Sequence, residues 1–441
     1  MRIEIPFGNE TITLQVDLPD EQVAVARSKN PPGSGSWAEV VGRALPQPLG
    51  ARPIREENLR GKRVVVITDD WGRPTPAAEV VPLILDELAA AGADDAGITF
   101  VTASGMHDPM PEDDLARKLG RQTLQRFRCI SHDGGDHAGL AFVGISGQGT
   151  PIWVDRAVAE ADYKIALGRI YLHPTHGYEG GYKMILPGVS SFETIVRDHS
   201  FNFAPSSVYG VYDNPSRRET DAVGRIVGID FLINVVVNAA SEPVKAFCGE
   251  TMTAHERGIE FGDREVWAAE VPARADVVVA SPGSGRTPSG DYDTTTLYHA
   301  ALAAKESATI ICAAPAEGSF EPEFGQSTAD EALLNAPSDQ FNAMLPSLSL
   351  SELLRLHEKR DWQLSERQVQ WRIKSIRGDY YRRRALGEIA RRQVVLTPDP
   401  DAALRDALAR ADPADTFVTI LPEARTTLPK ETLFRGRTPA S

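Results

Sequence analysis

The chain has 441 residues, 42% of them hydrophobic, and a formal net charge of -14 at pH 7. That length exceeds what one hydrophobic core usually supports, so two domains are expected, and the acidic balance excludes a general nucleic-acid binder, which needs a basic face to release counterions. Cys129, Cys248 and Cys312 are too widely separated for a disulfide scaffold or a paired metal spacing, and no segment approaches the roughly 18 consecutive apolar residues of a membrane span. A cytoplasmic protein with neither nucleic-acid nor membrane partners is the expectation.

The N-terminal run MRIEIPFGNETITLQV alternates polar and apolar residues, which predicts strand rather than a signal peptide with its long apolar centre. After the connection NPPGSGSW, residues 62–68 (KRVVVIT) form a continuous β-branched run of the kind buried on both faces of a parallel sheet. A helix from Ala77 to Ala91, a strand over 96–103, a helix over 155–161 and a strand over 163–167 follow. Residues 226–238 (IVGIDFLINVVVN) read as another buried strand region. The grammar restarts with strand 276–280, a mostly helical stretch over 291–307 and strand 308–313; residues 349–392 are predicted helical, and strand 394–396, helix 402–410 and strand 416–421 close the chain. Strand and helix alternating in this way indicate βαβ units. The expected fold is therefore α/β: two domains, each built on a mostly parallel sheet with flanking helices and an active site in the cleft between them. The first domain is expected to span residues 1–275 and the second 276–400, with 401–441 belonging to either.

In open parallel sheets ligands sit beyond the carboxyl ends of the strands. DDWGRPTP (Asp69–Pro76) and SGMHD (Ser104–Asp108) both occupy such ends. Arg73 can clamp a carboxylate or phosphate in a bidentate manner, although the same stretch also reads as a helix start with Asp70 capping. His107 follows a strand end where its ring can face the crevice. His132 and His137 flank an Asp-Gly-Gly-Asp turn and read as surface-loop histidines. The densest chemistry lies in Leu172–Ser200 (LHPTHGYEGGYKMILPGVSSFETIVRDHS), which holds His173, His176 and His199 with Lys183 beside a Gly-Gly turn. Histidine supplies both bases near neutral pH and nitrogen ligands for transition metals. Neither GxGxxG nor GxxxxGK[ST] is present, nor is HEXXH, which disfavours nucleotide triphosphatases and the simplest zinc proteases.

GMH at 105–107, the run from Leu172 to His199, and DDWGRPTP together resemble the lactate racemase family, which uses a nickel-pincer nucleotide, and its 2-hydroxyacid racemase and epimerase relatives. Lys183 lies ten residues after His173 and His199 sixteen further on, which is the family spacing. The resemblance implies nickel and a pyridinium-3,5-bisthiocarboxylic acid mononucleotide held covalently on Lys183, with His199 as a nickel ligand. It implies His107 and His173 as paired acid/base residues, Asp70, Trp71, Gly72 and Arg73 as cofactor contacts, and Arg73 also at the substrate carboxylate. Cofactor-biosynthesis proteins would then be needed for loading. The implied reaction moves hydride reversibly from Cα of a 2-hydroxyacid, through a 2-ketoacid, to either face. Where lactate racemases carry a Tyr-Gln pair and then a substrate-binding lysine on a helix of the second domain, this chain has Thr295, Thr296 and His299, which implies a substrate other than lactate. A nicotinamide-dependent 2-hydroxyacid dehydrogenase and a non-catalytic nickel or cofactor carrier are the competing expectations; the missing GxGxxG counts against the former.

Overall fold

Continuous apolar runs become the central strands of two largely parallel sheets in the computed structural model, which describes residues 1–199, 201, 209–283, 294–313, 318–319 and 392–430. In chain order the elements used below are β1 (Arg2–Phe7), β2 (Glu10–Gln15), β3 (Val23–Val25), α1 (Trp37–Ala44), β4 (Val64–Asp69), α2 (Ala77–Ala90), β5 (Ile98–Ala103), α3 (Glu112–Leu119), β6 (Arg128–Ser131), β7 (Leu140–Ile145), β8 (Pro151–Asp155), β9 (Tyr163–Ile170), β10 (Leu172–His173), β11 (Gly177–Tyr178), α4 (Phe192–His199), α5 (Pro215–Val227), β12 (Phe231–Val237), β13 (Pro243–Gly249), α6 (Thr251–Gly262), β14 (Ala275–Ala280), α7 (Thr294–Leu302), β15 (Ala304–Ala313), β16 (Gln393–Thr397), α8 (Pro400–Ala409) and β17 (Val418–Leu421).

The larger compact unit is Pro32–Gly262 among the described residues. Its sheet runs β13-β12-β9-β4-β5-β6, parallel throughout except for β13 against β12. Every residue of β4 and of β12 is buried, as expected for strands covered on both faces. One face packs Val64, Val66, Phe100, Ile165 and Phe231 against Val40, Val80 and Ile84 of α1 and α2. α1 starts at a capping box, Ser36 accepting from the Glu39 amide while Glu39 reaches back. α5 starts with Asn214 capping the Arg217 amide and proline at its first turn.

The second unit combines Met1–Pro31 with the described residues from Asp263 onward. Its sheet orders residues 318–319, β16, β15, β14, β17 and β3. Here the expected domain ranges need correction: the first 31 residues belong with the C-terminal unit rather than with 32–262. β3 pairs in parallel with β17, Val23 opposite Val418, and the β1–β2 hairpin packs Ile3, Ile5 and Leu14 onto Val277, Ile311 and Leu404. Residues 401–430 lie in this second unit too.

Two boundaries also differ from expectation. The region 226–238 is not one strand: α5 runs to Val227, Gly228 at φ 85° ends it, and β12 begins at Phe231. The helix expected over 291–307 stops at Leu302, because Ala304 pairs with Ala275 and Lys305 reaches the Asp276 carboxylate at 2.8 Å, drawing the segment into the sheet. The helix expected over 349–392 lies, apart from Arg392, outside the described residues. Among the described residues no helix is long and apolar enough to cross a membrane.

Candidate active site

Loops leaving the carboxyl ends of β4, β5 and β9 converge on one cleft, lined by Asp70, Arg73, His107, His173, Lys183 and His199. All of these belong to the larger unit. Sequence reasoning thus grouped six residues that the fold brings together from positions 70 to 199 of the chain.

The Asp69–Arg73 loop is pinned from below. Lys118 on α3, itself buried, places Nζ 2.6 Å from Asp69 Oδ1 and donates to the carbonyls of Asp70 (2.9 Å) and Arg73 (3.0 Å). Thr75 donates to the other Asp69 oxygen at 2.6 Å. Burial pushes the Asp69 carboxyl upward, opposed by the Lys118 ammonium. α2 begins only at Ala77, with Pro76 at its cap, so Asp70 does not serve as the cap. Its carboxylate instead reaches His107, Nδ1 to Oδ2 at 2.5 Å. Gly72 leaves room for this pair: a Cβ there would stand 3.2 Å from Asp70 Oδ1 and 3.4 Å from His107 Cε1. Trp71 is 65% exposed, its ring centroid 6.3 Å from that of His107.

Arg73 does not point at the cleft alone. Its Nε meets Glu179 at 2.8 Å, and Arg169 Nε meets the second Glu179 oxygen at 2.7 Å. Burial alone would raise the Glu179 carboxyl, but the two guanidiniums outweigh it and hold it below the usual carboxylate range. His176 and Ser104, named above only within their motifs, also line the cleft, as do Arg169 and Glu179, which were not singled out. An arginine at the carboxyl end of a strand, Arg169 on β9, was the available signal.

His173 sits at the head of the narrow β10–β11 hairpin, where Pro174 forces a turn. Its Nδ1 accepts from the backbone amides of Thr175 (3.3 Å) and His176 (3.2 Å). Burial, with Lys183 and Arg73 adding positive charge, depresses this imidazole well below the usual histidine range. His176 is buried, bonds Asp198 through Nε2 at 3.3 Å and meets the Thr175 hydroxyl through Nδ1 at 2.9 Å. It thereby links the hairpin to the end of α4, which carries His199. Burial raises the Asp198 carboxyl to about 8.

Lys183 lies on the single helical turn Gly181–Met184. Gly181, at φ 61°, lets the turn approach His255 so closely that a Cβ would stand 2.6 Å from Nδ1, and its amide donates to Asn234 Oδ1 at 2.9 Å. Burial, together with Arg217 and Arg73, lowers the Lys183 amine well below the usual lysine range. A buried neutral amine is a nucleophile.

Other expectations fare differently. His132 is not a surface histidine: it is fully buried and bonds the Ser190 carbonyl at 2.9 Å, because β6 carries it beneath the segment before α4. His137 is exposed as expected. Thr296 and His299 are buried on α7 of the second unit, where His299 Nδ1 donates to the Ala424 carbonyl at 2.7 Å.

Residues 7–210 match the family model for the lactate racemase N-terminal domain. The chain is 30% identical over 323 residues to the lactate racemases of Thermoanaerobacterium thermosaccharolyticum and of Lactiplantibacillus plantarum, covering 71% of this chain and 74% of each relative. The lactate racemase apoprotein structure from T. thermosaccharolyticum superposes with a TM-score of 0.66 at 24% identity, covering 98% of this chain and 100% of that one, and so supports the fold. The protein therefore belongs to the lactate racemase family of isomerases.

Proposed function

We propose that this enzyme racemises or epimerises a 2-hydroxyacid, using a nickel-pincer nucleotide carried on Lys183. One observation carries the reading: His107, His173, a buried lysine whose amine is shifted toward the neutral form, and His199 at the end of α4 line a single cleft. The residues fit the group. Lys183 would offer an amine that burial shifts toward the uncharged form for a covalent link, and His199 an imidazole for nickel, which accepts nitrogen and sulfur donors. Among the described residues no three His, Cys, Asp or Glu side chains are gathered to hold a metal unaided, which suits a cofactor that brings its own sulfur ligands. The Ser104 hydroxyl, buried in the cleft wall without a hydrogen-bond partner among the described residues, is an orphan that a polar ligand would satisfy.

When bound, the cofactor would supply reversible hydride transfer at Cα, with a 2-ketoacid between the two enantiomers. The chain's own residues handle the rest. His107 and His173 move the hydroxyl proton, and neutral imidazole is the form a base must start from. Asp70 holds the His107 ring. Arg73, kept charged by Glu179 against the cost of burial, is placed to meet a carboxylate. His299 where the family resemblance implies a lysine, with Thr296 three residues before it, favours an acid other than lactate.

The test uses protein from cells that also make the cofactor. Intact mass should show an adduct lost in Lys183→Ala, nickel should co-purify, and a panel of chiral 2-hydroxyacids should reveal one that exchanges Cα configuration. Absence of both adduct and nickel sinks the cofactor assignment; retained nickel with no exchange from any acid favours a carrier instead.

A further inference from the structure

The two cleft histidines are held by opposite edges of chemistry. His107 Nδ1 lies 2.5 Å from the Asp70 carboxylate, whose oxygens accept and do not donate, so Nδ1 carries the ring proton and the Nε2 lone pair is free in a side chain that is 37% exposed. His173 Nδ1 faces two backbone N–H groups, from Thr175 at 3.3 Å and His176 at 3.2 Å, and a backbone amide can only donate. Nδ1 must then be the acceptor, and the proton of the neutral ring stands on Nε2. Pro174 explains why the arrangement is built in: it has no N–H and fixes the turn, so the next two amides close back onto the side chain that precedes it, as they do in Asx turns. The Thr175 hydroxyl also stands 3.3 Å from His173 Nδ1 and 2.9 Å from His176 Nδ1; its oxygen can accept as well as donate, so it is the two backbone N–H groups, which can only donate, that fix His173 Nδ1 as the acceptor.

We infer that the resting enzyme holds its two histidines in opposite tautomers, His107 with an open Nε2 as the proton acceptor and His173 with an Nε2–H as the donor, and that Asp70 is the residue that sets the first of these. The substrate hydroxyl proton passes to His107 Nε2, the O–H bond breaking as the N–H bond forms; the Nδ1 proton stays in place, shared with Asp70, which faces the imidazolium. His173 meanwhile directs an N–H at a substrate oxygen. Exchanging the two roles requires His173 to move its proton to Nδ1 and give up both backbone contacts, so one enantiomer meets a ready base and the other does not. Asp70 is thus a positioning residue acting through His107. The roles rest on the racemase reading; the tautomers do not.

Nitrogen-15 NMR of the full-length apo chain, labelled at histidine and assigned with His107→Gln and His173→Gln, reads the tautomers without cofactor or substrate. At a pH of about 8, above the ordinary histidine range, His107 should show its proton on Nδ1 and His173 on Nε2. A His173 proton on Nδ1, or one common tautomer for both rings, overturns the inference. In Asp70→Asn the amide can donate to Nδ1, so His107 should switch to Nε2–H while His173 stays unchanged, the loss that neutralising the carboxylate causes in hydrolase triads. A folded D70N protein in which His107 keeps Nδ1–H overturns the role of Asp70, and if that variant does not fold the wild-type spectrum still decides the tautomers. Opposite tautomers in a protein that exchanges no 2-hydroxyacid would retire the racemase reading alone.

Discussion

Replacing Glu179 with glutamine tests whether the cleft is held together by charge. The carboxylate is 11% exposed and accepts from Arg73 at 2.8 Å and Arg169 at 2.7 Å, two guanidiniums that are themselves 29% and 13% exposed. Glutamine keeps the shape and one acceptor oxygen but turns the other position into a donor facing a cation. Removing one partner of a buried ionic group costs about 3–5 kcal/mol, because the charge left behind is uncompensated. With one acceptor retained, the lower end applies, about 3 kcal/mol, and at roughly 2–4 °C per kcal/mol for a unit of this size the thermal midpoint should fall by about 6–12 °C. Calorimetry on the full chain measures it, with Arg169→Met/Glu179→Gln as the companion: removing one of the two orphaned cations should recover at least about 1 kcal/mol. The folded Glu179 carboxyl lies below its usual 4.5, so its contribution is present above that pH and fades as pH falls through the folded value; the gap between wild type and E179Q should narrow in acid. A midpoint within about 3 °C of wild type, roughly 1 kcal/mol, would refute the electrostatic account.

Gly181→Ala should cost about 2–4 kcal/mol in denaturant unfolding, since alanine at φ 61° is strained and its Cβ would press within 2.6 Å of His255 Nδ1; loading of Lys183, read by intact mass, should fall with it. His255 is buried and neutral, with burial and Arg217 taking it from 6.5 to about 3, so the stability it brings is full above pH 6.5 and is lost as pH falls toward 3. In His255→Gln the pH dependence of unfolding between those limits should be shallower by about 1.4 kcal/mol per pH unit, one proton's worth; an unchanged slope would show that His255 does not enter the fold neutral. Lys183→Arg should carry no covalent adduct yet fold, as a guanidinium stays protonated and cannot act as the nucleophile. His107→Gln should lower exchange of a competent 2-hydroxyacid by about 10²–10⁴-fold with nickel content preserved.

The sheet was legible because burial on both faces writes itself locally: β4 is apolar from Val64 to Ile67 and β12 is interrupted only by Asn234, and no distant information is needed to read them. The gathering of His107, His173, Lys183 and His199 was legible for a related reason, since three of the four lie in one segment and the fourth follows a strand end. What the sequence withheld depends on pairing between distant positions. Lys118 sits on a helix with charged neighbours and reads as a solvated face; only the tertiary fold turns it inward to bind Asp69 and two carbonyls. His132 in a Gly-rich polar turn carries no mark of burial, yet β6 sets it beneath Ser190. The N-terminal hairpin belongs to the second unit because β3 adds to the edge of a sheet whose neighbouring strand, β17, arrives nearly four hundred residues later (418 minus 23). No periodicity within residues 1–31 encodes that choice.

The charges around the cleft divide into two kinds, and the division suits the proposed chemistry. Arg73, Arg169 and Arg217 cannot give up their protons, so each is held against an anion or a carbonyl: Glu179 for the first two, which are partly exposed, Asp221 and the carbonyls of Tyr178 and Gly180 for the third, which is buried. Lys183 and His173 can give theirs up, and burial beside those permanent cations pushes both toward the neutral state. A cleft with lysine in place of the arginines would let the positive charge be lost at any of several amines, and Lys183 would compete for neutrality rather than receive it. Fixed guanidiniums leave Lys183 and the imidazoles as the groups that yield. The same field that prepares an amine to be a nucleophile therefore prepares a histidine to be uncharged, while retaining enough positive charge to draw in an acid.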